Sequence, residues 1–245
     1  MKQVLLKIDE NKMIARGIFK MVLRGDTTGL GRPGQFVNLK LDGFYLRRPI
    51  SVCDVEGDSL TLIYRVVGGG TEKMSRMLPG ELLDVLTGLG NGYDTLVSGE
   101  RPLLIGGGVG VPPLYLLAKR LVEEGKHPSA ILGFGTGDEV FLENELAALG
   151  VSVTVTTADG SRGEQGFVTD VMNNIDYTYF YACGPEPMFR AVERIAKTSG
   201  QYSFEERMGC GFGACMGCSC KTLTGNKRIC REGPVMRREE ILWED

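Results

Sequence analysis

Cysteine is the residue type whose spacing in this chain points most directly to chemistry. Cys210, Cys215, Cys218 and Cys230 stand in the order C-x4-C-x2-C-x11-C, beginning inside the glycine-rich run Met208-Gly-Cys-Gly-Phe-Gly-Ala-Cys-Met-Gly-Cys-Ser-Cys220. This is the plant-type ligand spacing of a [2Fe-2S] cluster, whose iron and sulfide prefer soft thiolate partners. A loop wrapped closely around a cluster needs little side-chain bulk and a backbone free to take positive φ, and Gly209, Gly211, Gly213 and Gly217 supply both. Its N–H groups can also hydrogen-bond the sulfurs and tune the potential. Such a cluster carries one electron at a time, which makes the chain a redox relay rather than a hydrolase. Zinc is the competing occupant, but zinc ribbons present two C-x2-C knuckles and only Cys215 and Cys218 have that spacing. Cys220 competes with Cys218 as third ligand; the plant-type order selects Cys218.

Two further turns suit a dinucleotide. Ile105-Gly-Gly-Gly-Val-Gly-Val-Pro-Pro113 closes an apolar run and opens a helical pattern. Glycines there let backbone N–H groups approach a pyrophosphate, while the helix N-terminus offers its positive dipole end. The run departs from G-x-G-x-x-G, because Pro112 and Pro113 stand where a third glycine is expected. A tight strand-to-helix turn with prolines in its first helical turn is the plainer alternative. Ala182-Cys-Gly-Pro-Glu-Pro-Met188 forms a second such turn, at the same carboxyl edge of the expected sheet. Carboxylates in Gly135-Thr-Gly-Asp-Glu139 suit ribose hydroxyls and favour NAD, whereas Arg162 in Asp159-Gly-Ser-Arg-Gly163 would contact a 2′-phosphate and keeps NADP open.

In the first half, Leu46-Arg-Arg-Pro-Ile-Ser51 enters one strand and Ile63-Tyr-Arg-Val-Val-Gly-Gly-Gly-Thr71 ends another. An arginine fork can clamp a phosphate, a serine hydroxyl can donate to a flavin ring atom, and Gly70-Thr71 can open a helix facing a pyrophosphate. Taken alone, Arg47 and Arg48 read as solvated charges on a barrel. His127 is the only histidine and sits in Glu124-Gly-Lys-His-Pro, a solvated loop after a helix, so no acid–base constellation is expected.

The elements that must position these residues fall into two textures. Val4–Ile8, Met13–Val22, Phe36–Leu41, Pro49–Val55, Leu60–Val67 and Leu82–Leu86 read as strands of a small antiparallel barrel. From about Glu100, strands at Leu103–Ile105, Ala130–Phe134, Val151–Thr157 and Thr178–Ala182 alternate with helices at Pro113–Glu124, Leu142–Leu149, Thr169–Asn174 and Pro187–Thr198. That alternation predicts a doubly wound parallel sheet. The fold class is therefore β plus α/β: an antiparallel β-barrel over 1–98, a nucleotide-binding α/β domain over 99–203 and a small iron–sulfur region over 204–245. Trp243, near the end, is expected to pack against the barrel or to anchor an interface.

Composition narrows the class. A chain of 245 residues accommodates two domains and an appendage, and a net charge of −3 gives no footprint for nucleic acid. Seven cysteines, five of them within one region, do not resemble a secreted disulfide framework and suit a reducing cytoplasm. Charges interrupt the N-terminal apolar residues too often for a signal-peptide core. The longest uncharged run, Pro102–Ala118, holds four glycines and three prolines and falls short of a membrane span.

Arg48-Pro-Ile-Ser51, Gly68-Gly-Gly-Thr71, Gly106-Gly-Gly-Val-Gly-Val-Pro-Pro113 and Cys183-Gly-Pro185, in that order, resemble the ferredoxin reductase-type flavoproteins. The cysteine loop, with Gly233-Pro234 after the fourth cysteine, is most similar to the electron-transfer subunits of NAD-dependent dihydroorotate dehydrogenases. The resemblance spans essentially the whole chain. It implies FAD in the barrel, NAD on the α/β domain, and a [2Fe-2S] cluster exchanging electrons with an FMN-containing dihydroorotate dehydrogenase catalytic subunit, in a cytoplasmic heterotetramer of pyrimidine biosynthesis. It places Arg48, Pro49, Ile50 and Ser51 on FAD, Tyr64, Arg65 and Val66 along its ring and ribityl chain, and Gly70 and Thr71 on its pyrophosphate. Gly106, Gly107, Gly108 and Gly110 would receive the dinucleotide, with Cys183, Gly184 and Pro185 near the nicotinamide. Cys183 reads equally as a small buried hydrophobe, and Cys53 as packing. Ile50 departs from the tyrosine that many reductases stack on the flavin. A reductase serving another acceptor (ferredoxin, hydrogenase or oxygenase) and a non-redox zinc module are the competing functions.

Overall fold

In the computed structural model, which describes residues 1–243, alternation shapes the first strand. In β1 (Lys2–Ala15), Leu6 and Ile8 are fully buried while Leu5, Lys7 and Asp9 face outward, the period of a strand with one face on a core. β2 (Ile18–Arg24), β3 (Phe36–Lys40), β4 (Arg48–Glu56), β5 (Ser59–Arg65) and β6 (Leu82–Leu89), of which β6 alternates as regularly and β3 is buried from Phe36 to Leu39, close an antiparallel barrel with it in the order β1-β2-β5-β4-β3-β6. Its core includes Leu6, Met21, Val37, Leu39, Leu62 and Val85. The strand expected over Met13–Val22 is instead two strands, because Gly17 at φ 70° turns the chain and pairs Ala15 with Ile18. A short helix, α1 (Gly69–Ser75), links β5 to β6.

The second half builds a seven-stranded sheet in the order β10-β9-β8-β7-β11-β12-β15. β7 (Pro102–Gly107), β8 (Ser129–Phe134), β9 (Ser152–Thr157), β10 (Glu164–Gln165), β11 (Tyr179–Cys183) and β12 (Gly200–Ser203) are parallel. β7 is buried on both faces, as a central parallel strand must be. Leu104 meets α2 (Pro112–Glu123) and α3 (Glu143–Ala148) on one side. Leu103 and Ile105 meet α4 (Val168–Met172) and α5 (Glu186–Ile195) on the other. Cys53 is buried where the barrel packs on α2, beside Leu114 and Leu117.

The chain then returns to both domains. A hairpin of β13 (Ser219–Thr222) and β14 (Gly225–Arg228) packs near Phe36 and Leu89 of the barrel. β15 (Val235–Arg237) adds antiparallel to β12, so the sheet carries one antiparallel edge that alternation of strands and helices did not predict. Trp243 packs on Tyr202 and Phe204 of the α/β domain, with ring centroids 5.6 and 6.3 Å away, rather than on the barrel. Glu244 and Asp245, the last two positions of the 204–245 segment, lie outside the described residues. Among the described residues no helix is long and apolar enough to cross a membrane.

Candidate functional site

The cysteine loop is held by its own backbone. Gly211 and Gly213 take φ of 77° and 91°, which keep the chain coiled through Cys210–Cys215. The N–H groups of Ala214 and Cys215 donate to Cys210 Sγ at 3.2 and 3.4 Å, and that of Cys230 donates to Cys218 Sγ at 3.4 Å. Burial would raise the Cys210 thiol, but the N–H groups of Phe212, Cys215 and Ala214 bring it down to about 6, favouring the thiolate. Burial and the adjacent Cys218 push Cys230 up to about 12.

The backbone bonds of Cys215 to Cys210 Sγ and of Cys230 to Cys218 Sγ set the four cysteines in two neighbouring pairs. Among the described residues no three acidic, histidine or cysteine side chains converge as on a single metal ion. Two pairs fit a dinuclear cluster, which takes two thiolates on each iron. Cys220 Sγ turns aside to Met236 Sδ at 4.0 Å. Cys215 is the exposed member, with Phe212 and Met216 also exposed beside it.

Asn38 and Arg228 strap this loop down, and neither stood out in the sequence. Asn38 Nδ2 donates to the Cys210 carbonyl at 3.3 Å, and Arg228 Nη1 donates to that of Gly213 at 2.6 Å. Asn38 lies in β3 directly opposite Pro49 of β4. The Arg48–Ser51 segment is thus one strand away from the first cysteine.

Around that segment the barrel forms a cradle. The Arg48 guanidinium lies over the Phe44 ring, 4.8 Å from its centroid, and against α1 so closely that a Cβ on Gly70 would fall 2.1 Å from Nε. Thr71 Oγ1 accepts the N–H groups of Val67 and Gly68 at 2.9 and 3.3 Å, so its hydroxyl shapes the turn. The first N–H groups of a helix have no intrahelical partner, and in α1 they belong to the turn that Arg48 packs against. Arg47 is not a free surface charge: it bonds the carbonyls of Asn38 and Asp84 and pairs with the Asp84 carboxylate at 2.8 Å. Tyr64 is buried, its ring stacked on Phe19 and its hydroxyl donating to Asn11 Oδ1 at 3.0 Å. Only its backbone, with Arg65 and Val66, remains for a ligand. Pro49, Ile50 and Ser51 are half-buried, Ile50 against the barrel core.

The two dinucleotide-type turns interlock at the carboxyl ends of the adjacent strands β7 and β11. A Cβ on Gly107 would lie 2.8 Å from Met188 Sδ and 3.0 Å from Pro185 Cδ, one on Gly184 3.1 Å from the Gly107 nitrogen, and one on Gly110 2.1 Å from the Cys183 carbonyl oxygen. Gly106 is closed in by Val111 and Leu114. Gly108, at φ 53°, alone of the four opens to space, with Arg65 Nη2 of the barrel 4.0 Å from its Cβ position. Burial pushes the Cys183 thiol up to about 12 against the opposing bonds with Ser203 and Tyr93, so it stays protonated at neutral pH. His127 is exposed in its loop, as expected.

Barrel and α/β domain meet at Glu139. Its carboxylate accepts the Gly135 N–H at 3.3 Å and pairs with Arg16 and Arg65 of the barrel at 3.4 and 3.5 Å. Asp138 pairs with Arg16 at 3.1 Å. Both carboxylates expected to meet ribose hydroxyls are therefore engaged in the domain contact. Arg162, the candidate for a 2′-phosphate, is paired with Glu143.

Comparison with known proteins agrees with this geometry. The iron–sulfur cluster binding domain of dihydroorotate dehydrogenase B matches residues 205–242, and the oxidoreductase NAD-binding domain matches residues 104–194. The dihydroorotate dehydrogenase B (NAD(+)) electron transfer subunit of Geobacillus sp. (strain WCH70) is 44% identical, over 99% of this chain and 99% of that one. The subunit of the same name from Fusobacterium nucleatum is 43% identical, over 97% of each. Among solved structures, that of an NADH-dependent reduced ferredoxin-NADP oxidoreductase matches 98% of this chain and 90% of its own, with a TM-score of 0.88 and 30% identity. A ferredoxin NADP+ reductase from Neisseria gonorrhoeae, with bound FAD and NADP, shares the fold at a TM-score of 0.69 and 16% identity, over 83% of this chain and 100% of that one. With relatives this similar along its full length, the chain belongs to the family of dihydroorotate dehydrogenase B electron transfer subunits.

Proposed function

We propose that the chain moves electrons between NAD and the FMN-containing catalytic subunit of a dihydroorotate dehydrogenase, using FAD in the 1–98 barrel, NAD on the 99–203 domain and a [2Fe-2S] cluster in the 204–245 region. The observation that carries this is the contact through Asn38, which sets the paired thiols one strand from the Arg48–Ser51 cradle. When bound, the flavin supplies the change between two-electron hydride chemistry and the single-electron steps of an iron–sulfur cluster.

The protein's own residues act by binding and orientation. Arg48, Gly70 and Thr71 hold the flavin pyrophosphate, the arginine by charge and the helix by its free N–H groups. Ser51 offers a hydroxyl to the ring, Pro49 and Ile50 give aliphatic contact without aromatic stacking, and the Tyr64–Val66 backbone runs along the ring and ribityl chain. Gly106, Gly107, Gly108 and Gly110 receive the dinucleotide, and Cys183, Gly184 and Pro185 flank the nicotinamide, Cys183 as a neutral thiol. Cys210, Cys215, Cys218 and Cys230 ligate the cluster, whose Cys215 edge, flanked by Phe212 and Met216, faces the partner. The complex is a cytoplasmic heterotetramer with two copies of each subunit, matching a thiol-rich chain kept reduced.

Co-expression with an FMN-containing dihydroorotate dehydrogenase subunit tests this reading. The expected result is a coloured complex that forms orotate with NAD+ as acceptor. No complex formation, together with efficient reduction of another acceptor, would overturn it, as would a colourless protein carrying stoichiometric zinc and no releasable FAD.

A further inference from the structure

We propose that Asp159 selects NAD over NADP, by accepting the 2′-hydroxyl of the adenine ribose and repelling a 2′-phosphate. The proposal rests on the dinucleotide site set out above and names the residue that sets its specificity. With the nicotinamide beside β11 and the pyrophosphate at the turn after β7, the adenosine must run over the next strand ends in the sheet, those of β8 and β9. The loops after those two strands form one platform. Gly137 N–H donates to Ser161 Oγ at 2.7 Å, and Asp159 N–H donates to the Gly135 carbonyl at 3.3 Å.

Four charged side chains stand on or beside that platform, and three are engaged. Asp138 and Glu139 are held by barrel arginines, and Arg162 is held by Glu143. Asp159 remains exposed and has no basic partner among the described residues. Its Oδ1 takes the N–H and O–H of Ser161 at 3.0 and 2.6 Å, which fixes the carboxylate in place. Those bonds hold the carboxyl below its ordinary range, so it is ionised at neutral pH. An oriented carboxylate without a basic partner rewards a hydroxyl and penalises a phosphate, and the nearby cations that would offset the penalty are engaged, Arg162 by Glu143 and Arg16 by Asp138 and Glu139.

The test uses the FAD- and cluster-loaded protein, with NADH- and NADPH-dependent reduction of ferricyanide followed separately. Asp159→Asn is expected to raise kcat/KM for NADPH by at least about tenfold and to raise KM for NADH, and Glu143→Gln added to it should raise NADPH use further by releasing Arg162. Asp138→Asn should leave the NADH-to-NADPH ratio unchanged. An unchanged ratio in Asp159→Asn, or an equal shift in Asp138→Asn, overturns the proposal. Gly107→Val separates this from failure of the site itself. If it abolishes NADH oxidation with flavin content intact while Asp159→Asn does nothing, only the specificity assignment falls; if NADH oxidation survives it unchanged, the site is elsewhere.

Discussion

Cys218 and Cys220 differ by two positions and point to different neighbours, one to Cys230 and the other to Met236. Serine at 218 is therefore expected to remove the visible cluster absorption, whereas serine at 220 leaves it. Loss of colour in Cys220→Ser alone would show that the ligand assignment is wrong. Arg48 offers a second test at this scale. Truncation to alanine removes a charge-assisted contact worth ~1.5–3 kcal/mol, so FAD affinity should fall by roughly 10- to 100-fold, read as flavin lost on desalting. Gly70→Ala puts a methyl group 2.1 Å from Arg48 Nε and should reproduce that loss by displacing the arginine, with little change in melting temperature.

At the scale of elements, the turns after β7 and β11 matter as a pair, because neither has room for side chains against the other. A methyl group on Gly110 would meet backbone, the Cys183 carbonyl, which cannot swing away as a side chain can. Gly110→Ala should cost ~1–3 kcal/mol through overpacking. At roughly 2–4 °C per kcal/mol for a chain of this size, the melting temperature should drop by several degrees, while cluster absorption at low temperature stays intact. A melting curve superimposable on that of the parent protein would show that the two turns do not interlock. The glycines of the Gly106–Gly110 run thus serve packing as well as the approach of a ligand, and Gly108 is the one with open space at its Cβ position.

Across the whole molecule, Glu139 joins the two nucleotide domains through Arg16 and Arg65, with only 16% of its side chain exposed. Glu139→Gln keeps its size and removes the charge. The expected result is a several-fold lower rate of flavin reduction by NADH in rapid mixing, with cluster and FAD content unchanged, since near-attack geometry depends on domain alignment. An unaltered rate would mean that the ion pairs only decorate the seam. The last segment serves the same scale: β15 lies in the α/β sheet while β13 and β14 pack near the barrel, so the thiol loop is held from both sides.

The chemistry was legible in the sequence because it is local. Ligand spacing, positive-φ glycines and the alternation of apolar residues are properties of a few consecutive positions, and they were enough to indicate the cluster, the two glycine turns and the barrel followed by an α/β sheet. What sequence could not order was whatever depends on distant partners. Asn38 and Cys210 are 172 positions apart, so no local pattern marks the strap between them. Asp138 and Glu139 read as free for a ribose, yet barrel arginines more than seventy positions away engage them, and on the same platform Asp159 has no basic partner among the described residues. β12 and β15 are short and become strands only by pairing with each other and, for β12, with β11. Types and spacing of side chains thus determined which chemistry the chain can carry. Tertiary contacts decided which thiols pair, which charges remain free and which glycines can face a ligand.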